Sequence, residues 1–212
     1  MNIVLIGATG FVGSALLNEA LSRGHRVTAI ARDTGKLPDH PGLTARQLDA
    51  TDAAALADAA RGADAVVSAF TVRQGEDPSG DIVRGYAAII DGVKRSGVPR
   101  LLVVGGAGSL EVAPGQALSE QDGFPAQYRG EARAMGEVLR MLRDERALDW
   151  TFLSPAAEFF PGERSGQFRL GGDQLLSDAQ GRSRISVQDY AVALIDELEQ
   201  PAHSRRRFSV AY

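Results

Sequence analysis

Three glycines near the start of the chain have the spacing of a pyrophosphate-binding turn. The apolar run 2–6 leads directly into residues 7–13, which read G-A-T-G-F-V-G, and a helical pattern follows. Such a turn presents unpaired backbone N–H groups and the positive end of a helix dipole at one point. Gly7 permits the tight turn, Gly10 lets the backbone approach the phosphates, and Gly13 allows the helix to lie close to the sheet. This pattern predicts a dinucleotide site.

Charged residues follow the second predicted strand, 26–31, where the adenosine ribose of a dinucleotide would lie. Arg32, with Lys36 nearby, favours NADP because a guanidinium pairs with a 2′-phosphate. Asp33 keeps NAD open as the less favoured cofactor, since a small shift in register would make its carboxylate the acceptor for a ribose hydroxyl. The alternative to binding either cofactor is that these residues form an exposed charged loop.

Acidic residues follow the third predicted strand, 43–48. Asp49 lies at the carboxyl edge of the sheet, where it would contact adenine, and the alternative is a turn residue. Asp52 begins the next helix, where its negative charge interacts favourably with the positive end of the helix dipole. The polar loop 71–80, beyond strand 65–68, is a candidate lid.

A second glycine cluster follows the apolar run 100–104, which is typical of a buried parallel strand. Gly105 and Gly106 predict a close approach of the backbone to a flat ring, since ligands bind at this edge of open α/β sheets. Ser109 ends the loop, and the alternative to a ligand contact is a hydroxyl that caps the turn.

The turn after the predicted strand 150–153 is rich enough in apolar groups to form the wall of a pocket. It opens with Ser154 and Pro155, which we place with the cofactor-binding residues. Phe159 and Phe160 follow, and the alternative for these two rings is a position in the core.

Strands and helices alternate along the chain, which predicts an α/β, Rossmann-like doubly wound parallel sheet with a small C-terminal subdomain. We expect one domain, 1–212, with 157–184 as a substrate-side insertion. The remaining predicted elements are helices over 11–23, 52–61, 81–96, 125–145 and 186–199 and a last strand over 207–212.

The amino-acid composition narrows the range of binding partners. The formal net charge is −4 over 212 residues, which disfavours a nucleic-acid or anionic-membrane partner. The short basic run 205–207 is interpreted as a solvated flank rather than a phosphate patch. The chain has no cysteine and no apolar run long enough for a membrane span, so we expect a soluble, cytoplasmic protein.

Together these motifs are similar to those of a known family. The chain resembles the atypical branch of the short-chain dehydrogenase/reductases, the NAD(P)H-binding proteins similar to NmrA and to biliverdin/flavin reductase. The likeness rests on G-A-T-G-F-V-G at 7–13, A-R-D-T-G-K-L at 31–37, D-A-T-D at 49–52, V-V-G-G-A-G-S-L at 103–110 and S-P-A-A-E-F-F at 154–160. The resemblance implies an NADP(H) site with Gly7, Thr9, Gly10, Phe11 and Val12 at the pyrophosphate, Arg32 at the 2′-phosphate, Asp49 at the adenine, and Ala69 and Phe70 at the adenosine side.

The same resemblance supplies only part of a catalytic set. The wider family uses a serine, a tyrosine and a lysine four residues after the tyrosine, whose charge lowers the tyrosine pKa. Ser109 and Tyr128 match the first two, but Ala132 stands in the lysine position, and Arg129 and Arg133 would point elsewhere on a helix. A tyrosine without a cation, with a pKa of about 10, is a poor base at neutral pH. Alcohol oxidation is therefore disfavoured.

Two functions remain open. An NADP(H)-dependent reductase of a flat conjugated acceptor, such as a quinone, flavin or tetrapyrrole, needs mainly stacking and hydride delivery, with the proton from water or Tyr128. The alternative is a redox-sensing regulator that binds NADP(H) without turning it over. We expect His25, His40 and His203 at the surface, and no metal site is predicted from the spacing of the histidines. Neither the acceptor nor the oligomeric state follows from these residues.

Overall fold

The computed structural model of the chain describes residues 1–72 and 76–212. The strands are β1 (Asn2–Ile6), β2 (Arg26–Ala31), β3 (Leu43–Gln47), β4 (Ala65–Ser68), β5 (Arg100–Val104), β6 (Glu111–Ala113), β7 (Gln116–Ala117), β8 (Asp149–Ser154), β9 (Glu158–Phe160), β10 (Arg169–Gly171), β11 (Arg184–Ser186) and β12 (Arg206–Ala211). The α-helices are α1 (Phe11–Ser22), α2 (Ala53–Ala60), α3 (Pro78–Ser96), α4 (Arg129–Asp144) and α5 (Val187–Glu199).

Eight strands form the central sheet in the order β10-β12-β8-β5-β4-β1-β2-β3. All neighbours are parallel except β10, which runs antiparallel to β12. Helices α1 and α5 pack on one face with one hydrophobic cluster, and α2, α3 and α4 contribute to the cluster on the other face. Because β1 lies between β2 and β4, the winding direction reverses beside β1. The predicted Rossmann-like class is confirmed.

Helix α3 begins earlier than the sequence pattern indicates. It starts at Pro78 rather than near Asp81, because Asp77 caps it by accepting a hydrogen bond from the backbone N–H of Gly80 at 3.0 Å. The loop predicted as a lid, 71–80, therefore ends in helix. It also includes residues 73–75, which lie outside the described part of the chain, and the lid stays a prediction.

The region before α4 differs from its predicted form. Residues 126–128 form a short 3₁₀ turn, so the α-helix begins at Arg129 rather than at residue 125. The stretch 110–124, which shows no regular pattern in the sequence, contains the antiparallel pair β6 and β7. Strands this short have too few residues for an alternating pattern to be visible.

The segment 157–184 both extends the main sheet and adds a second one. Strand β10 pairs with β12 at the sheet edge, while β9 pairs in parallel with β11. Arg164 attaches the segment to α1, because its guanidinium lies 2.8 Å from the buried carboxylate of Glu19. Arg23, the residue that follows α1, binds the same carboxylate.

This ion pair predicts a loss of stability in acid. The hydrogen bond from Arg164 holds the pKa of Glu19 below its ordinary value of 4.5, against the effect of burial, and Arg23 adds to the lowering. A carboxyl whose pKa is lower in the folded state contributes stability above pH 4.5 that is lost as the pH falls through the folded value. Arg164→Gln should reduce this pH dependence, as measured by urea unfolding between pH 3 and 7, whereas an unchanged pH dependence would contradict it.

One of the three histidines is buried. The His25 side chain has Nε2 2.8 Å from Glu199 Oε1, and the surface prediction was wrong for it because this carboxylate is 174 residues away in the chain. His203 is half-buried, with Nδ1 2.7 Å from Glu197 Oε2 and 26% of its side chain exposed. His40 is exposed as expected.

Candidate functional site: the crevice between β1 and β4

The glycine-rich turn lies against the end of β4, at the point where the sheet reverses its winding. Gly7 has a φ of 80°, and a Cβ on it would lie 2.6 Å from the carbonyl oxygen of Ala69. The N–H of Ala69 donates in turn to the carbonyl of Ile6 at 2.9 Å. Backbone conformation and close approach both require glycine at position 7. The carboxyl ends of β1 and β4 thus form the crevice in which open α/β sheets bind ligands.

The start of α1 faces this crevice without a side-chain cap. Gly10 is the N-cap residue in extended conformation, and among the described residues none caps the helix through its side chain. Thr9, Gly10 and Phe11 are exposed, and Val12 is half-buried. A Cβ on Gly13 would overlap the carbonyl oxygen of Gly7. The role predicted for Gly13 is therefore refined, because its absent side chain lets the helix pack on the turn itself.

The loop after β2 separates Arg32 from its acidic neighbour. The Arg32 side chain is exposed, and its backbone carbonyl accepts a hydrogen bond from Gln47 Nε2 at 3.0 Å. Asp33 Oδ1 accepts from the N–H of Gly35 at 3.0 Å, and its Oδ2 lies 4.0 Å from Lys36 Nζ. Asp33 and Lys36 therefore interact with each other. Arg32 directly follows β2, and its side chain is exposed.

Asp49 stabilises the turn that leads into α2. Its Oδ1 accepts from the N–H and the hydroxyl of Thr51, at 2.9 and 2.8 Å. These two hydrogen bonds, followed by the charge of Arg32, hold the pKa of Asp49 below its ordinary value although partial burial opposes them. This geometry matches the alternative in which Asp49 is a turn residue. A contact between Asp49 and adenine stays a prediction. Asp52 caps α2 as predicted, since it accepts from the N–H groups of Ala54 and Ala55.

Phe70 follows Ala69 and packs onto α3. A Cβ on Gly85 would overlap its ring, and Tyr86 stacks edge-on to it with 5.7 Å between ring centroids. The Tyr86 hydroxyl donates to the carbonyl of Phe70 at 3.2 Å, and burial raises the pKa of this tyrosine so that it stays neutral. Phe70 therefore supports the floor of the crevice.

Packing within the protein explains the second glycine cluster without the ring of a bound ligand. A Cβ on Gly105 would overlap the ring of Phe152, and the Gly105 N–H donates to the carbonyl of Leu153 at 2.8 Å. Gly106 is half-buried. Glycine is thus required at position 105 by the neighbouring strand β8, which could not be deduced from sequence spacing alone.

Ser154 and Pro155 lie buried at the carboxyl end of β8. Ser154 is fully buried, and its Oγ has no hydrogen-bond partner among the described residues. A buried hydroxyl without a partner is costly and is often explained by a missing ligand or water. This atom lies at the same edge of the sheet as the glycine-rich turn, which is consistent with the predicted place of Ser154 beside a cofactor.

Ser109 and Tyr128 lie in different surroundings. Ser109 Oγ accepts a hydrogen bond from Arg207 at 3.1 Å, and the turn 107–109 packs along α4 so that Ser109 lies near Gly136. That position follows Tyr128 by eight residues, about 12 Å along the helix axis. Tyr128 is 54% exposed, and Arg129 donates to backbone carbonyls of the loop before it. Ser109 is half-buried, and the catalytic roles of both residues stay predictions.

Aromatic side chains follow the carboxyl end of β8. Phe159 lies between Phe11 and Tyr190, with ring centroids 5.5 and 4.9 Å apart. Phe160 lies under the guanidinium of Arg184 at 4.8 Å. Phe159 thus packs against the core, which matches one of the two alternatives, and it also contacts the exposed ring of Phe11. A pocket wall formed by these rings stays a prediction.

Two polar residues of this edge were missed in the sequence. Thr71 Oγ1 donates to Glu131 Oε1 at 3.0 Å, which links the end of β4 to the first turn of α4. Glu131 follows Tyr128 by three residues, and this spacing at a helix start is the feature that could have indicated it.

The crevice fits a dinucleotide on its own geometry. Gly7 and Gly13 let the turn pack closely against Ala69 and against α1. The start of α1 has no side-chain cap, and Arg32 lies at the end of β2. Fold and site together define a Rossmann-like NAD(P)-binding protein. The model of the family described as NAD(P)H-binding matches residues 7–198, and the chain belongs to this family.

Similar proteins agree on the fold. The uncharacterized protein YwnB of Bacillus subtilis is 41% identical over 99% of this chain and 98% of its own length. A solved structure from Bacteroides thetaiotaomicron, provisionally called an epimerase, is 46% identical with a TM-score of 0.94 over 100% of this chain and 96% of the other. A Streptococcus pneumoniae structure, provisionally called an NADH-flavin reductase, is 34% identical with a TM-score of 0.86 over 100% and 99% of the two chains.

The described residues hold no helix of the length and apolar character that a membrane crossing requires. The cytoplasmic location stays a prediction.

Proposed function

We propose that the protein is an NADPH-dependent reductase of a flat, conjugated acceptor such as a quinone or flavin. The observation that carries the proposal is the uncapped start of α1 beside the Gly7 crevice, with Arg32 exposed at the end of β2. The likeness to a protein provisionally called an NADH-flavin reductase supports a reductase, and the NADPH preference rests on Arg32 alone.

Each group of residues has a defined task in this proposal. The N–H groups of Phe11 and Val12 hold the pyrophosphate, while the Gly10 N–H donates to the carbonyl of Gly7 at 3.0 Å and fixes the turn beside it. Arg32 pairs with the 2′-phosphate. Bound NADPH supplies the hydride. The rings of Phe11 and Phe159 offer the acceptor an apolar surface on the β8 side of the crevice.

Tyr128 acts as a neutral hydrogen-bond donor at the entrance. Ala132 stands one turn further along α4, and its Cβ packs against Gly108, where an added Cβ would lie 2.5 Å away. Alanine at this position supplies no cation to the tyrosine. Reduction of an electron-poor ring does not require a strong base, whereas oxidation of an alcohol does.

The first test concerns the cofactor. NADPH should bind at least about tenfold tighter than NADH, a difference of about 1.4 kcal/mol, because Arg32 makes a charge-assisted contact with the 2′-phosphate. Arg32→Ala should remove the preference in a calorimetric titration, and Lys36→Ala, a nearby exposed control that interacts with Asp33, should keep most of it. Equal affinities in the wild type, or an unchanged ratio in Arg32→Ala, would favour Asp33 as the ribose acceptor instead.

The second test concerns the proton. Tyr128→Phe should lower kcat with an accepted acceptor by about 5- to 150-fold, the 1 to 3 kcal/mol of one lost hydrogen bond. Ser109→Ala should have a smaller effect, since the Ser109 hydroxyl interacts with Arg207 instead of the crevice. A loss above about 10⁴-fold in Tyr128→Phe would mean that the tyrosine is a true acid or base, assisted by a cation.

A further inference from the structure

A second cavity lies at the opposite edge of the sheet from the glycine-rich turn. Its volume is about 470 Å³, and it is bordered by the amino ends of β8 and β12, the last turn of α4 and the chain after β10. Trp150 is the second residue of β8, whereas Ser154 at the cofactor crevice is its last. Four strand residues span about 13 Å, so the two sites are separate.

Positive charge dominates this cavity. Arg143, Arg205, Arg206 and Arg207 line it, with Asp173 as the one carboxylate in the lining. Asp173 Oδ1 lies 2.5 Å from Arg207 and 3.1 Å from Arg143, so one acid is shared between two guanidinium groups. A protein with a formal net charge of −4 therefore concentrates positive charge at one concave place.

One residue of the basic run 205–207 departs from the predicted solvated flank. The Arg207 side chain is only 3% exposed, held by Asp173 and by the hydroxyl and carbonyl oxygens of Ser109. Arg205 has a φ of 51°, which is strained for a residue other than glycine, and its guanidinium donates to the carbonyls of Arg146 and Leu148. Arg206 is exposed at the rim. The prediction was wrong for Arg207, because its partners are distant in sequence.

A hydrogen-bond donor without an acceptor borders the same cavity. The Trp150 side chain is buried, and its Nε1 has no hydrogen-bond partner among the residues that the structure describes. The Nε1 atom exposes almost no surface, so the Trp150 ring borders the cavity without offering this N–H to a ligand there. The guanidinium groups therefore carry the recognition, and they favour a multiply charged oxyanion.

We propose that this cavity binds a small molecule through a phosphate or a comparable multiply charged oxyanion group. Excess guanidinium charge attracts the anion, Arg206 at the rim contributes directly, and Arg207 together with Asp173 fixes the shape of the site. This site is independent of the NADPH crevice and of the reductase proposal.

The chain contains one tryptophan, so its intrinsic fluorescence reports directly on this cavity. Titration of the full-length protein with inorganic phosphate and pyrophosphate should give a saturable fluorescence change, with citrate as the carboxylate comparison. Arg206→Gln should weaken the binding at least about tenfold, because it removes a rim charge without changing the buried network. Arg26→Gln, an exposed arginine at the start of β2, is the matched control and should bind as the wild type does.

Gly10→Val separates this site from the cofactor crevice. The variant should keep the oxyanion response, because Gly10 lies at the opposite edge of the sheet. Trp150→Phe, followed by calorimetry, should keep the oxyanion affinity of the wild type, because the guanidinium groups carry the recognition. Absence of a saturable response, an equal affinity in Arg206→Gln, or loss of the response in Gly10→Val would each overturn the proposal.

Discussion

Gly10→Val should abolish NADPH binding and leave a folded protein. Gly10 has ordinary extended backbone angles, and a Cβ on it would meet the carbonyl of Gly7 at 3.3 Å, so a small adjustment accommodates the added atoms. The branched side chain would instead occupy the space in front of the N–H groups of α1, where the pyrophosphate binds. We expect the affinity to fall by at least about 100-fold, or roughly 2.7 kcal/mol.

Calorimetric titration measures the loss, and thermal unfolding shows whether the fold is retained. Gly172→Val is the matched control, because a Cβ there would meet no atom within 4 Å and the residue lies outside the crevice. Retained NADPH binding in Gly10→Val would remove the pyrophosphate assignment. A protein that does not fold would instead be expected from Gly13→Ala, whose Cβ would overlap the Gly7 carbonyl.

Glu197→Ala should cause a large loss of stability. Glu197 lies on α5 with its side chain 3% exposed, 2.8 Å from the guanidinium of Arg100, which is itself only 8% exposed. His203 donates to the same carboxylate through its backbone and contacts it through its ring. Removing the carboxylate leaves a buried guanidinium with the half-exposed Asp149 as its remaining ion-pair partner. We expect the free energy of unfolding to fall by about 3 to 5 kcal/mol.

Asp196→Ala provides the comparison from the adjacent position of the same helix. The Asp196 side chain is 53% exposed and lies 2.7 Å from Arg23, so its loss should cost about 1 kcal/mol or less. Urea unfolding of the two variants measures the difference. Similar losses of unfolding free energy in the two variants would mean that burial does not determine how much these ion pairs contribute to stability.

The features that the sequence predicted well depend on short-range pattern. Gly7 and Gly13 mark the turn because the backbone of one βαβ unit requires them, and the apolar run 100–104 forms a buried parallel strand as predicted. Asp52 caps α2 because a helix start needs an acceptor within three residues. In each case the physical cause lies within a few residues of the pattern.

The features that the sequence did not predict depend on partners distant in the chain. Ser109 is bound by Arg207, which is 98 residues away, and a nearby tyrosine could not indicate that contact. His25 is buried by Glu199 across 174 residues, and Gly105 is required by the ring of Phe152 on the adjacent strand. Spacing along the chain carries no information on such contacts.

Oxidation of NADPH by the purified wild-type protein, followed by absorbance with a panel of quinones and flavins, tests the central claim most directly. We predict stoichiometric oxidation with at least one acceptor, loss of that activity in Gly10→Val, and retention of measurable activity in Tyr128→Phe. Tight NADPH binding without oxidation across the panel would contradict the reductase and favour a sensor that binds the cofactor without turning it over.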